Sequence, residues 1–264
     1  MLFRSMAWAR KDLGIEDEEV GQVGIFSPEN YGKMNIELAG AGFPSIYIRD
    51  KESAPRLSGA WVTAVADVIT KDKRPTVILT SSHKESALLA SIIRTKTTLP
   101  VYEHCSGEPL RLHIQAFTNK PGLLITAAGH VGMNIRDKAG NGGFHRLVIT
   151  RISYAQPDED AVMALADFFA RRGQNRLAQL KQQAFVKCQN DAIRKMRQAM
   201  GRGIRSPNDE VDIVILDPRF PVESDASSNH AAFRNVIPMR FRTAYAEALI
   251  HKPVMNVEST EVIF

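Results

Sequence analysis

The chain is poor in the features that mark several large classes of protein. It has two cysteines in 264 residues, Cys105 and Cys188. Two cysteines supply no disulfide framework and fit a reducing compartment, so we expect a cytoplasmic protein. No apolar run approaches the ~18 residues that a membrane span needs, so no membrane association is expected. The opening residues, MLFRSMAWARKDLG, lack the apolar core of a signal peptide. They read as an amphipathic helix with Leu2, Phe3, Met6, Ala7 and Trp8 on one side. There is no internal repeat and no low-complexity tract. No stretch fits the phosphate-cradling pattern G-x-x-x-x-G-K-[ST]: the one Gly-Lys pair, Gly32–Lys33, is followed by Met34. No G-x-S-x-G elbow supports a Ser–His–Asp hydrolase. LAGAGFPS (38–45) is a turn, because a dinucleotide fingerprint needs a third glycine between a strand and a helix. His104, Cys105 and His113 have no paired C-x-x-C and no evident fourth ligand, so they read as a strand end and a helix face, and we expect no metal. Cys188 reads as a small packing residue within a helix.

What is present is an ordinary globular composition, 44% hydrophobic and 24% charged. The net charge of +5 is mildly basic and compatible with a nucleic-acid partner. Four runs, TVILT (76–80), GLLITA (122–127), RLVITRI (146–152) and VDIVILD (211–217), are almost continuously apolar. That pattern suits strands buried on both faces of a parallel sheet. Helical spacing fills the intervals at 83–96, 109–117, 157–173 and 175–200. Pro157 and Asp158 start the third of these and Gly173 stops it. The alternation predicts an α/β fold with a mostly parallel sheet and helices on both faces. QVGIFSP (22–28) and SIYIRD (45–50) read as strands added at a sheet edge, and KAGNGGFH (138–145) as a loop. No shift in composition marks a domain boundary. We expect one domain over 1–264, with 1–60 as an N-terminal extension and 221–264 as a C-terminal tail.

The most informative stretch is QAMGRGIRSPNDEVDIVILDPRF (198–220). Residues 187–205 carry six Lys or Arg and one acid, which alone would describe a solvated helix face. Gly201 and Gly203 are poor helix-interior residues, and they would let the backbone approach a partner closely. Arg202 and Arg205 then project from one short turn, where guanidinium forks suit phosphate oxygens.

This stretch closely resembles the sixth helicase motif and following strand of the DinG/XPD branch of superfamily 2 helicases: Gln-x-x-Gly-Arg-x-x-Arg, an acidic turn, then an apolar strand ending Asp-x-Arg. Gln198, Gly201, Arg202, Arg205, Asp209, Asp217 and Arg219 fit it. TVILTSS (76–82) resembles the fourth motif, LLITAAGHVGMNIRD (123–137) the fifth, and RLVITRISYAQPDED (146–160) the strand and turn after it. FSPENYGKMNIEL (26–38) is similar to the Ser-Pro stretch upstream of the fourth motif. In the family these pieces form the second RecA-like motor domain.

The resemblance implies a RecA-like fold and a role in an ATP-dependent 5′-to-3′ DNA helicase. ATP and Mg²⁺ would be shared with a first RecA-like domain that carries the phosphate-cradling loop. Arg205 would be the leading arginine finger and Arg202 its partner, with Gln198, Gly201, Gly132 and Asn134 around the nucleotide. Such a finger is worth roughly 10³–10⁵ in rate. Single-stranded DNA would be held at Thr80, Ser81, Ser82, Thr126 and His130. Ser81 and Ser82 also read simply as caps of the helix at His83, and Thr126 as an ordinary strand residue. Without the phosphate-cradling loop and a DEAH-type acid box, the chain is expected to be half a motor and inactive alone. The four clustered cysteines of an iron–sulfur cluster are not in this chain. Relatives carry Glu-Gly-x-Asp where this chain has Val131-Gly132-Met133-Asn134, keeping the glycine and losing both acids. Such divergence suggests the DinG-like helicase of type IV CRISPR systems (CasDinG), working beside an RNA-guided complex. The alternative is a RecA-like binding module without catalysis.

Overall fold

The computed structural model describes residues 32–39, 42–48, 56–128, 133–137, 140–204 and 206–220, together with Phe233, Val236, Ile237 and Phe241. The elements run β1 (Lys33–Leu38), β2 (Tyr47–Ile48), β3 (Arg56–Leu57), α1 (Gly59–Lys71), β4 (Thr76–Leu79), α2 (His83–Lys96), β5 (Val101–Glu103), α3 (Leu110–Asn119), β6 (Leu123–Thr126), β7 (Arg146–Ile149), α4 (Glu159–Ala170), α5 (Leu177–Met200) and β8 (Glu210–Ile215).

Six strands form one sheet in the order β1-β8-β7-β4-β6-β5. Every neighbouring pair in it is parallel, with Leu79 opposite Thr126 and Ile149, and Ile149 opposite Ile215. The central strands β4, β6 and β7 are buried at every position, as their unbroken apolar runs require. Successive side chains alternate between two cores. Val77, Leu124, Leu147 and Ile213 meet α5 through Ala192, Met196, Ala199 and Met200. Ile78, Ile125, Val148 and Val214 meet α1 and α2 through Trp61, Val65, Ile69, Leu89 and Ile93. The sheet is therefore covered by helices on both faces, as expected.

Caps fix the helix ends. The Ser82 hydroxyl accepts from the Glu85 amide at the start of α2, and Asp158 accepts from the Ala161 amide at the start of α4. Gly173 sits at φ 74° beyond α4, a left-handed position that glycine adopts at no steric cost. α4 buries only Ala166 and leaves Met163, Leu165 and Phe168 exposed.

The N-terminal third departs from the sequence reading. Among the described residues of SIYIRD, Tyr47–Ile48 form a strand, paired antiparallel with β3 in a separate two-stranded ribbon rather than at the sheet edge. The edge is KMNIEL, β1, with a strictly alternating exposed and buried pattern. Alternation is what an edge strand with one wet face needs, and Lys33 meets Glu210 across the pair at 2.9 Å. α1 and the three-residue β5 were not expected from the sequence. QVGIFSP and the proposed N-terminal amphipathic helix lie outside the described residues. Among the described residues no helix is long and apolar enough to cross a membrane.

Candidate functional site

Thr80, Ser81 and Ser82 follow the carboxyl end of β4, and Thr126 closes its neighbour β6. The Thr80 amide donates to the Thr126 carbonyl at 3.0 Å, so the structure brings these candidates together. It also commits most of their hydroxyls. Thr80 is buried, its Oγ1 lying 2.7 Å from Ser86 Oγ and donating to the Ser82 carbonyl. Thr126 is fully buried, its Oγ1 accepting from the Ala128 amide at 3.1 Å. Ser82 caps α2, as its place just before His83 predicts. Ser81 differs: its Oγ is buried and has no hydrogen-bond partner among the described residues. His130 lies outside the described residues.

His104, which reads in the sequence as a mere strand end, is a hub of this region. It is buried, with Nδ1 2.9 Å from Thr126 Oγ1 and Nε2 2.9 Å from the Glu108 carbonyl. A carbonyl only accepts, so Nε2 carries the hydrogen, and in the neutral ring Nδ1 accepts from the Thr126 hydroxyl. The rings of His83 and His113 lie edge-on to it at 5.3 and 5.5 Å. His113 Nε2 sits 2.8 Å from Glu108, and the hydrogen bond to His113 holds that carboxyl below its ordinary range.

A second group missed in the sequence is a fully buried carboxylate. Glu85, in the first turn of α2, accepts from the Ser81 amide at 3.2 Å, from Arg151 Nε at 2.6 Å and from the Thr150 hydroxyl. Arg151 also donates to the Tyr47 hydroxyl. The loop after β4 is thereby tied to the end of β7. Its sequence trace is the Ser-x-x-Glu spacing at 82–85, which marks a helix start. Spacing cannot show that the glutamate turns inward to an arginine 66 residues away.

The second cluster gathers at the other end of the sheet. α5 ends at Met200 and residues 201–209 lead into β8. Gln198 is exposed on the last turn of α5, and Gly201 closes the helix. Arg202 is part-exposed, and its guanidinium has no hydrogen bond or ion pair among the described residues. Arg205 lies outside them. Gly203 serves packing: a Cβ on it would stand 2.7 Å from Val211 Cγ1, so the close approach it allows is to β8 of the same chain rather than to a ligand.

Asn134, between Met133 and Ile135, is exposed; Gly132 is outside the described residues. Met133 and Ile135 share an apolar cluster with Ala199, Met200 and Ile204, so the fifth and sixth segments have a common core. A carboxylate also ties the turn before β8 to the loop that follows the fifth segment. Asp209, 7% exposed, accepts from the Ser206 amide at 2.7 Å, the Ser206 hydroxyl at 2.8 Å and the Gly142 amide at 3.0 Å.

Because the strands are parallel, Thr80 to Ser82 and Thr126 lie at the carboxyl ends and residues 201–209 at the amino ends. Strands of four to six residues at about 3.3 Å each put these clusters roughly 13–20 Å apart. Asp-x-Arg of the resemblance belongs to the first end. Asp217 is buried and accepts from the Ile152 amide at 2.6 Å and from Arg219 at 2.7 Å. Burial works against the Arg219 charge, but the Asp217 hydrogen bond and charge outweigh it and hold the guanidinium above its ordinary range. This pair locks the chain after β8 to the turn after β7.

A parallel six-stranded sheet with helices on both faces and two clusters at its opposite ends defines a RecA-like α/β domain. A solved structure titled XPD helicase shares this fold, with a TM-score of 0.50, 21% identity, and coverage of 72% of this chain and 32% of that one. A second, titled XPD apo, aligns with a TM-score of 0.44 and 20% identity over 72% of this chain and 36% of that one. The chain thus spans about a third of the length of these structures. No curated protein matches its sequence. Residues 65–235 match the family model of the helicase C-terminal domain, and the chain belongs to that family.

Proposed function

We propose that this chain is the second motor domain of an ATP-dependent DNA helicase of the DinG/XPD type. In this reading 1–264 form one RecA-like domain, with 1–60 as an extension and 221–264 as a tail. ATP and Mg²⁺ lie between it and a first RecA-like domain that supplies the phosphate-cradling loop. Arg205 and Arg202 stabilise charge on the transferring phosphoryl group, while Gln198, Gly201, Gly132 and Asn134 line the nucleotide. Among the described residues no three His, Cys, Asp or Glu side chains gather as metal ligands. In this reading the first domain supplies the acid that holds the Mg²⁺. Single-stranded DNA runs across the carboxyl ends of β4 and β6, and because the hydroxyls of Thr80, Ser81 and Thr126 are all buried, backbone groups of these loops meet the phosphates. The divergent residues Val131 and Asn134 favour the DinG-like helicase of type IV CRISPR systems, with an RNA-guided complex as partner.

One observation carries this reading: the Arg202 turn is built into the same unit as the fifth segment, whose other end begins at Thr126. Nucleotide and DNA clusters are thus joined by one short stretch of chain. The test is ATP hydrolysis by the complete protein with and without single-stranded DNA, beside Arg205→Ala. DNA-stimulated turnover that falls by roughly 10³-fold or more in the variant supports a motor with its finger here. Turnover indifferent to Arg205 removes the finger assignment. DNA binding with no turnover in the unaltered protein leaves the non-catalytic binding module.

A further inference from the structure

The link between the two segments rests on a residue to which the motor reading gives no task. Asn134 brings no carboxylate to the sixth segment. Asp209 brings one from the opposite direction: its Oδ1 accepts from the Gly142 amide at 3.0 Å and the Ser206 hydroxyl at 2.8 Å, while Oδ2 accepts from the Ser206 amide at 2.7 Å. Its own carbonyl accepts from the Lys33 amide at 2.8 Å, so the residue is anchored to the start of β1. Gly142 closes a turn through its bridge to Arg136 and the Asp137 amide's bond to the Asn141 carbonyl. A Cβ on Gly142 would meet the Asp209 carboxyl at 3.3 Å, so the close approach is part of the grip. Next to it, a Cβ on Gly143 would stand 2.7 Å from Ile135 Cγ2. Asp209 therefore holds, with one carboxylate, the turn that carries Arg202 and the returning half of the loop that begins at Thr126.

We infer that Asp209 is a positioning residue that couples nucleic-acid binding to ATP hydrolysis. It touches neither nucleotide nor DNA; it sets where the Arg202–Arg205 turn stands relative to the fifth segment. The inference rests on the motor reading above. Its mechanism is geometric: a charge-assisted acceptor buried away from water holds two backbone amides at once. If that grip slips, the arginines lose register with the transferring phosphoryl group, and misplacement of about 1 Å costs roughly 100-fold in rate.

Asp209→Asn keeps the shape but sets an amide NH₂ against one of the two N–H donors. Gly142→Ala keeps the carboxylate and crowds it. Asp217→Asn is the comparator, a buried carboxylate that holds the turn after β7 and makes no hydrogen bond to the fifth segment among the described residues. In the complete protein, Asp209→Asn is expected to lower the DNA-stimulated kcat roughly 10- to 100-fold, with KM for ATP little changed and the stimulated-to-basal ratio collapsed. Gly142→Ala is expected to move the same way by less. Amide exchange at 136–143 and 203–206 should rise together in Asp209→Asn while α2 stays protected. Three results would overturn the inference: a stimulated kcat within about twofold of the unaltered protein while exchange at Gly142 rises; a loss no greater than in Asp217→Asn at equal melting temperature; or, should Asp209→Asn fail to fold, a Gly142→Ala variant with normal stimulation. The parent reading fails separately: an unaltered protein without DNA-stimulated turnover, or one whose turnover survives Arg205→Ala, removes the motor and the coupling with it. Loss in Arg205→Ala with normal stimulation in Asp209→Asn removes the coupling alone.

Discussion

Glu85→Ala is the sharpest test of how the strand ends are held together. The carboxylate is fully buried and paired to Arg151 at 2.6 Å, a partner whose side chain is only 15% exposed. Removing one member of a buried ion pair costs about 3–5 kcal/mol, because the survivor keeps its desolvation penalty without its compensation. Several groups soften the loss here. Arg151 retains the Tyr47 hydroxyl, and the Thr150 hydroxyl still has the Leu79 carbonyl at 3.1 Å. The Ser81 amide does lose its Glu85 acceptor. We therefore expect about 3 kcal/mol, the low end of that range, against a total stability of ~5–15 kcal/mol for a typical domain. Urea unfolding followed by far-ultraviolet circular dichroism reads it as a lowered midpoint. Glu85→Ala combined with Arg151→Met removes both charges, so the double variant should cost clearly less than the two single changes added together. A loss below about 1 kcal/mol for Glu85→Ala, or strict additivity in the double variant, would refute the claim that this pair is a buried strut.

Two further perturbations address packing and pH. Gly203→Ala places a methyl 2.7 Å from Val211 Cγ1 and is expected to cost about 1–3 kcal/mol, with part recovered when Val211→Ala is added; thermal melts of the two variants check it. Asp72 is held at about 2, below its ordinary 3.8, first by the hydrogen bond from the Arg74 side chain and against the opposing pull of burial. Its folded value is depressed, so its contribution is complete above pH ~4 and fades as pH falls toward 2. Asp72→Asn should therefore lower stability at pH 7 and flatten the loss between pH 4 and 2, and a pH series of urea midpoints that stays parallel to the unaltered protein would count against it.

The central architecture was legible because it rests on local pattern. Runs such as TVILT and VDIVILD are too apolar for an exposed face, and the helices between them carry caps that the sequence displays, Asp158 and Ser82 among them. β1 was hidden because Lys33, Asn35 and Glu37 break its apolar run, which is how a half-exposed edge strand must look. α1 was hidden because GAWVTAVADVITK mixes β-branched residues into a helix that tertiary burial, not propensity, holds in place. Within the site, the sequence displayed Arg202, Gln198 and Asp-x-Arg as a motif. It could not show that Thr80 and Thr126 turn inward, that Gly203 packs on Val211, or that Asp209 reaches Gly142, 67 residues away. The last is a long-range contact to a loop that carries no motif, and the others depend on how side chains turn and pack once the sheet has formed.

The crossover from β6 to β7 has a mechanical consequence. The connections β4–β5, β5–β6 and β7–β8 contain helices, and a helix keeps its end-to-end length because any change breaks its hydrogen-bond ladder. The described residues of the β6–β7 connection form an Arg136–Gly142 turn and no helix. Among the described residues, that crossover takes its position from contacts made elsewhere in the chain, such as the Gly142 amide on the Asp209 carboxylate, rather than from a helical ladder of its own.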